Sequence, residues 1–138
     1  MTNQYSVAVL PGEGIGLEVV QATLTILHQV AIKHDFKLQV NFGEIGQSAF
    51  EQNGSYFPEV TAQICSKADG ILFGAVSKGG LLELRKKFDF SVNLRPVKTF
   101  PSLINNSSLK SNYLSGVDIL FVRELVSGIY FGASGRAE

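Results

Sequence analysis

The stretch Tyr5-Ser6-Val7-Ala8-Val9-Leu10-Pro11-Gly12-Glu13-Gly14-Ile15-Gly16 sets the fold class. Tyr5 to Leu10 is a short apolar run ended by Pro11-Gly12, and it reads as a buried strand. Beyond the glycines, Val20, Leu24, Leu27 and Ala31 recur at helical spacing, with Ile26 and Val30 beside them. That pattern predicts a helix from about Gly16 to His34. Glycines between a strand and a helix permit a tight turn and a close approach of ligand to backbone. The spacing is not the dinucleotide fingerprint, because the third glycine comes too early. A plain strand-to-helix turn competes with a phosphate cradle here.

Working outward, Leu38 to Phe42 alternates as a strand does, and Pro58 to Lys67 reads as a helix with Pro58 suited to its first turn. Gly70 to Val76 is a second apolar run. Leu81 to Phe88 predicts a short helix with Arg85, Lys86 and Lys87 near its C-terminal end. Phe90 to Phe100 is extended and carries Pro96, and Ser102 to Ser115 is Asn/Ser-rich and reads as loop. Val117 to Glu124 is a third apolar strand, and Ile129 to Phe131 a fragment of another. Strands alternating with helices predict an α/β fold, with a partly parallel sheet and flanking helices.

The 138 residues suffice for one ordinary domain with a core, and 45% of them are hydrophobic, which argues against disorder. Twelve basic residues balance twelve acidic ones, so a nucleic-acid footprint is not expected. The single cysteine, Cys65, excludes an internal disulfide and a cysteine-based zinc site, and reads as a buried helix position. No uninterrupted apolar run approaches membrane-spanning length, and Met1-Thr2-Asn3-Gln4 does not open a secretory signal. The expectation is a cytoplasmic protein with no membrane partner. His28 and His34 read as a surface side chain and a partner of the helix C-terminus. Asp69, Asp89 and Asp118 lie scattered beside strands, and Asp69 and Asp118 read as turn residues.

Chemistry concentrates later. Leu81-Leu82-Glu83-Leu84-Arg85, Asn93-Leu94-Arg95-Pro96-Val97 and Val122-Arg123-Glu124-Leu125 each place an arginine at or near the end of an apolar run. A planar guanidinium fork suits a carboxylate better than a lysine point charge does. Three forks would suit a di- or tricarboxylate. Taken singly, each arginine reads as a surface side chain or an ion-pair partner, such as Arg123 with Glu124. Leu81 and Leu82 read equally well as core.

The order and wording of these pieces, with Gly128-Ile129-Tyr130-Phe131-Gly132 after them, resemble the 3-isopropylmalate dehydrogenases, within the wider isocitrate/isopropylmalate dehydrogenase family. The resemblance runs from Val7 to Gly132. It implies an incomplete version of that family's fold, with residues 1–100 in a first, cofactor-side domain and 101–138 starting a second. A composition change near Phe100 is the candidate boundary. It implies that Arg85, Arg95 and Arg123 bind the substrate's carboxylates, that Leu81 and Leu82 contact its branched alkyl group, and that Ile15 contacts the nicotinamide cofactor.

The chain departs from the family's wording at Glu13, where aspartate is common, and at Leu17, where proline is common. A longer, tryptophan-containing loop normally separates Gly74-Ala75-Val76 from Leu81-Leu82. It ends in a glutamate where this chain has Lys78, of opposite charge. None of the family's catalytic or metal-binding residues is matched here: its lysine, tyrosine and aspartates lie in a later portion, and family members are more than twice as long. The expectation is therefore a truncated relative, inactive alone. NAD and Mg or Mn serve the full-length enzymes and are not expected to bind this chain tightly. The expected partners are a small dicarboxylate anion, held weakly, and a second copy or a full-length homologue. The alternative is a non-catalytic binding or regulatory subunit that pairs with such a homologue.

Overall fold

The computed structural model describes residues 3–125 together with Gly128, Phe131, Gly132 and Gly135. Of the predicted strand fragment Ile129–Phe131, Ile129 and Tyr130 lie outside the described residues. The chain divides into two compact units, 1–87 and 88–138.

The first unit is a three-layer α/β arrangement around a parallel sheet. Strands β1 (Asn3–Gly12), β2 (Phe36–Phe42) and β3 (Gly70–Ala75) lie in the order β2-β1-β3. Both pairings are parallel: Val7 pairs with Val40 on one side and Gly70 on the other. Parallel neighbours need crossover connections. Helix α1 (Ile15–Lys33) supplies the first, and α2 (Gln47–Asn53) with α3 (Glu59–Ser66) the second. Helix α4 (Leu81–Lys87) ends the unit. The central strand is the driest, with Ala8, Val9 and Leu10 fully buried. Val9 forms a core with Val20 and Leu24 of α1, against which Val7, Val40 and Leu72 pack. Cys65 is buried in α3, and that burial raises its thiol pKa. The half-buried Ile71, Leu72 and Phe73 leave β3 incompletely covered.

The strands and α1, α3 and α4 lie close to where periodicity places them. Helix α2 was not anticipated. Its residues carry little apolar period, but Gly54 follows it in the left-handed conformation at φ 70°, a recognisable stop signal. A second correction concerns α1, whose 19 residues are long and apolar enough on average to span a membrane. Counting uninterrupted apolar residues overlooks this, because Glu18, Gln21, His28 and Gln29 interrupt the run without lowering its average enough. Here α1 is the crossover helix, with Val20, Leu24 and Ala31 buried.

The second unit contains an antiparallel ribbon of β4 (Val92–Lys98) and β5 (Asp118–Glu124). Pro96 sits within β4, opposite Leu120. Proline lacks a ladder donor, and a two-stranded ribbon tolerates it because each strand has an open edge. Lys98 and Asp118 pair across the ribbon at 3.1 Å. Between the strands, a 3-10 turn (Pro101–Asn106) and a single helical turn, α5 (Ser111–Leu114), occupy what reads in sequence as loop. The units divide between Lys87 and Phe88. The reason is pairing: β4 is bonded to β5 and travels with it.

Candidate functional site

In the first unit, functional groups gather where β1 and β3 end. The glycines there serve packing first. A Cβ on Gly12 or Gly16 would collide with the backbone of Ala75, and one on Gly74 with the carbonyl of Pro11. The strand ends and the start of α1 thus touch backbone to backbone. Gly14 alone faces open space, beside Ile15, which is 61% exposed. The turn therefore leaves one approach for a ligand rather than a full phosphate cradle.

Glu13 clasps three segments. Its carboxylate accepts hydrogen bonds from the Ser77 amide at 2.8 Å and the Ser77 hydroxyl at 2.9 Å. It also accepts from the amides of Gln47 and Ser48, each at 3.2 Å, at the start of α2. A carboxylate at a helix's first turn caps its orphan donors. The Ser77 amide is the main cause that holds the Glu13 carboxyl below its ordinary pKa. The Ser77 hydroxyl and the two α2 amides add to it, and partial desolvation opposes them.

A depressed carboxyl contributes stability above its unfolded pKa of about 4.3, lost as pH falls through the folded value. The melting temperature should therefore drop on acidification below about pH 4.3. A Glu13→Gln chain should start lower at neutral pH and lose less on acidification. Thermal melts of both proteins across that range check this, and parallel losses would contradict it.

The clasp fixes the short Ser77–Gly80 connection. Gly79 lies against the Tyr56 ring at φ 65°, so a side chain there would be strained and would strike the ring. Tyr56 stacks on Phe50, ring centroids 4.5 Å apart, and Lys78 Nζ sits 5.9 Å from the Tyr56 centroid. Gly80 accepts the Leu84 amide at 2.9 Å and starts α4. Leu84 is buried, Leu81 and Arg85 are half-buried, and Leu82 is exposed. Leu81 and Leu82 line a cavity of about 210 Å³ together with Ser77, Lys78 and Glu83. Arg85 lies one turn further along.

In the second unit, register brings two of the three arginines together. Arg123 lies directly opposite Asn93, and Arg95 opposite Phe121. Side chains alternate along a strand, and opposite residues share a face. Asn93, Arg95 and Arg123 thus lie on one face of the ribbon. Arg95 Nε donates to Asn93 Oδ1 at 3.1 Å, which fixes the guanidinium's orientation. Asn93 escaped the sequence reading, although its place two residues before Arg95 in an extended run signalled a shared face. Arg85 belongs to the other unit.

Asp69, Asp89, His28 and His34 have local structural surroundings. Asp69 Oδ2 accepts the Ser6 amide at 2.8 Å, and Asp89 takes a left-handed turn at φ 51°. His28 Nδ1 lies 2.7 Å from the Leu24 carbonyl, and His34 is the C-cap residue of α1. Among the described residues, no group of three His, Cys, Asp or Glu side chains could hold a metal ion.

A family model for isocitrate/isopropylmalate dehydrogenase matches residues 6–138. The chain belongs to that family. The 3-isopropylmalate dehydrogenase of Bacillus licheniformis is 42% identical over 139 residues, covering 91% of this chain and 38% of that protein. The 3-isopropylmalate dehydrogenase of Symbiobacterium thermophilum is 41% identical over 142 residues, covering 93% and 39%. A β-decarboxylating dehydrogenase from Thermococcus kodakarensis matches in structure with a TM-score of 0.69 and 29% identity, covering 90% of this chain and 35% of that one. An isocitrate dehydrogenase from Methylococcus capsulatus reaches 0.72 at 22% identity over 91% and 36%, a likeness of fold alone. The chain thus spans well under half the length of these isocitrate/isopropylmalate dehydrogenase relatives.

Proposed function

We propose that this family member carries a substrate-carboxylate portion of a 3-isopropylmalate dehydrogenase-like site, without the groups that perform the chemistry. The observation that supports this most is the shared ribbon face of Asn93, Arg95 and Arg123, with one guanidinium already oriented by a neighbour. Two guanidinium groups diagonally placed across a ribbon stand about 7 Å apart at the backbone, close enough for both forks to donate to one anion. Arg85 of α4 is the third carboxylate ligand of the reading, and Leu81 and Leu82 receive the substrate's alkyl branch.

The parent reaction is the NAD-dependent oxidative decarboxylation of 3-isopropylmalate. There, a nicotinamide cofactor takes the hydride, and Mg or Mn polarises the hydroxyl. For the cofactor, the reading offers the open approach at Gly14 and the exposed Ile15. For the metal, the described residues offer no donor set, and no step is assigned to them.

Thermal-shift titration with malate and 3-isopropylmalate tests the reading. Binding should be weak, about millimolar, because the charges are exposed and screened. Stabilisation should disappear in a protein with Arg85, Arg95 and Arg123 all replaced by alanine. Stabilisation unchanged in that variant would count against the site.

A second reading, a non-catalytic subunit that pairs with a full-length homologue or another copy, is favoured by the ribbon's exposure. Leu94, Leu120 and Val122 on one face, and Ile119 and Phe121 on the other, are all at least 47% exposed. A two-stranded ribbon is marginal in water, and an exposed apolar patch of this kind favours association. Light scattering over a concentration series should show a mass above one chain. A monomer mass that persists at high concentration would contradict the subunit reading and leave the carboxylate reading standing.

A further inference from the structure

We infer that Asn53 is a site of self-modification: the Asn53-Gly54 pair converts to aspartate and isoaspartate, and the opening of α2 sets the rate. Asparagine is among the thermolabile residues. A following glycine has no Cβ to shield its backbone nitrogen. The Gly54 nitrogen attacks Asn53 Cγ, and the new C–N bond closes a five-membered succinimide ring. The side-chain nitrogen leaves as ammonia, taking the proton that the Gly54 amide gives up. Water then adds at one of the ring carbonyls and breaks its C–N bond. One choice restores the main chain as aspartate. The other leaves the main chain running through the side-chain carbon, as isoaspartate. Water is the only co-reactant.

The surroundings admit this reaction and the helix restrains it. Asn53 and Gly54 are both exposed, and nothing lies within 4 Å of the place where a Gly54 side chain would start. In the folded chain, however, Asn53 is the last residue of α2, and the Gly54 amide donates to the Phe50 carbonyl at 2.8 Å. Asn53 Nδ2 donates to Glu44 Oε2 at 2.9 Å and to the Ala49 carbonyl at 3.3 Å. Helical side chains lean back over the preceding turn, here towards Ala49 and away from the Gly54 nitrogen. Attack therefore requires the last turn of α2 to open and these bonds to break. That opening is accessible, because a helix of 7 residues is not stable by itself. Its first turn depends on the Glu13 carboxylate. A carboxylate at position 53 would lose both donations, face the Glu44 carboxylate and add negative charge to the helix's negative end. The product therefore holds α2 closed less well than asparagine does.

The test incubates the purified chain at mildly alkaline pH beside a synthetic peptide of residues 47–58, which serves as the unfolded reference. Peptide mapping by mass spectrometry follows the mass gain of the amide-to-acid change, and chromatography separates the aspartate and isoaspartate forms. Asn53 should convert in both samples, about tenfold or more slowly in the folded chain, because only the opened helix reacts. Glu13→Gln, which loosens the start of α2, should speed conversion in the chain, while hydrogen exchange in strands β1 and β3 reports whether that variant remains folded. Gly54→Ala in the peptide should slow conversion strongly. Equal rates in chain and peptide, or no acceleration in a folded Glu13→Gln chain, would overturn the control by α2. An intact Asn53 in the chain after many half-times of the peptide, or conversion at other asparagines while Asn53 stays intact, would overturn the site itself.

Discussion

Replacing Gly74 with alanine should strongly destabilise the first unit, whereas the same change at Gly70, in the same strand, should be nearly neutral. A Cβ on Gly74 would overlap the Pro11 carbonyl and press on the Gly16 carbonyl at 3.0 Å. Both obstacles are backbone, so no side-chain rotation relieves them. The cost should reach about 3 kcal/mol, the upper end for overpacking. That is a large share of the stability of any small domain. Gly70 has nothing within 4 Å of the corresponding position. Alanine there should also benefit slightly from reduced freedom of the unfolded chain. Circular dichroism melts of the two variants provide the measurement. Equal melting temperatures would show that β1, β3 and α1 do not meet as closely as described.

The purified 15.0 kDa chain should form no detectable NADH from 3-isopropylmalate with magnesium or manganese. Under the proposal, the described residues have a binding role and no chemical one. Among them, no group of three His, Cys, Asp or Glu side chains could hold a metal ion. Loss of one general acid–base group typically slows a reaction about 10²- to 10⁴-fold. Loss of the Lewis acid as well should take the rate below detection. The assay is the absorbance of NADH, with a full-length relative as positive control. Turnover that co-purifies with this chain and vanishes in Arg95→Ala would contradict the proposal.

Local pattern made much of this legible. The Tyr5–Gly16 stretch and the period of α1 predict a strand, a glycine turn and a crossover helix, and the structure has them. Helix α2 was harder, because its first-turn cap is the Glu13 carboxylate, 34 residues away from Gln47. Sequence spacing cannot show that a side chain will reach another segment, so Glu13 read only as a departure at one position. The same holds for Asp69, which looked like a turn residue and instead ties β1 to the start of β3. The three arginines stood out in the sequence because of the apolar runs around them. Their division, Arg95 with Arg123 on one ribbon and Arg85 on a separate helix, follows from the β4–β5 register. Register depends on pairing across a long connection, and no local period encodes it. The membrane-length average of α1 shows the opposite error: counting runs ignores that a helix averages its faces.

Titration of 15N-labelled protein with 3-isopropylmalate, following the Arg95 Nε–Hε resonance, tests the central proposal most directly. The account predicts a saturable shift of that resonance in the millimolar range, weakened by Arg123→Ala and abolished at elevated salt. It also predicts no comparable shift with an uncharged ester of the same acid. A resonance that stays in place to the highest acid concentration, or that moves equally with acid and ester, would contradict the carboxylate-binding face.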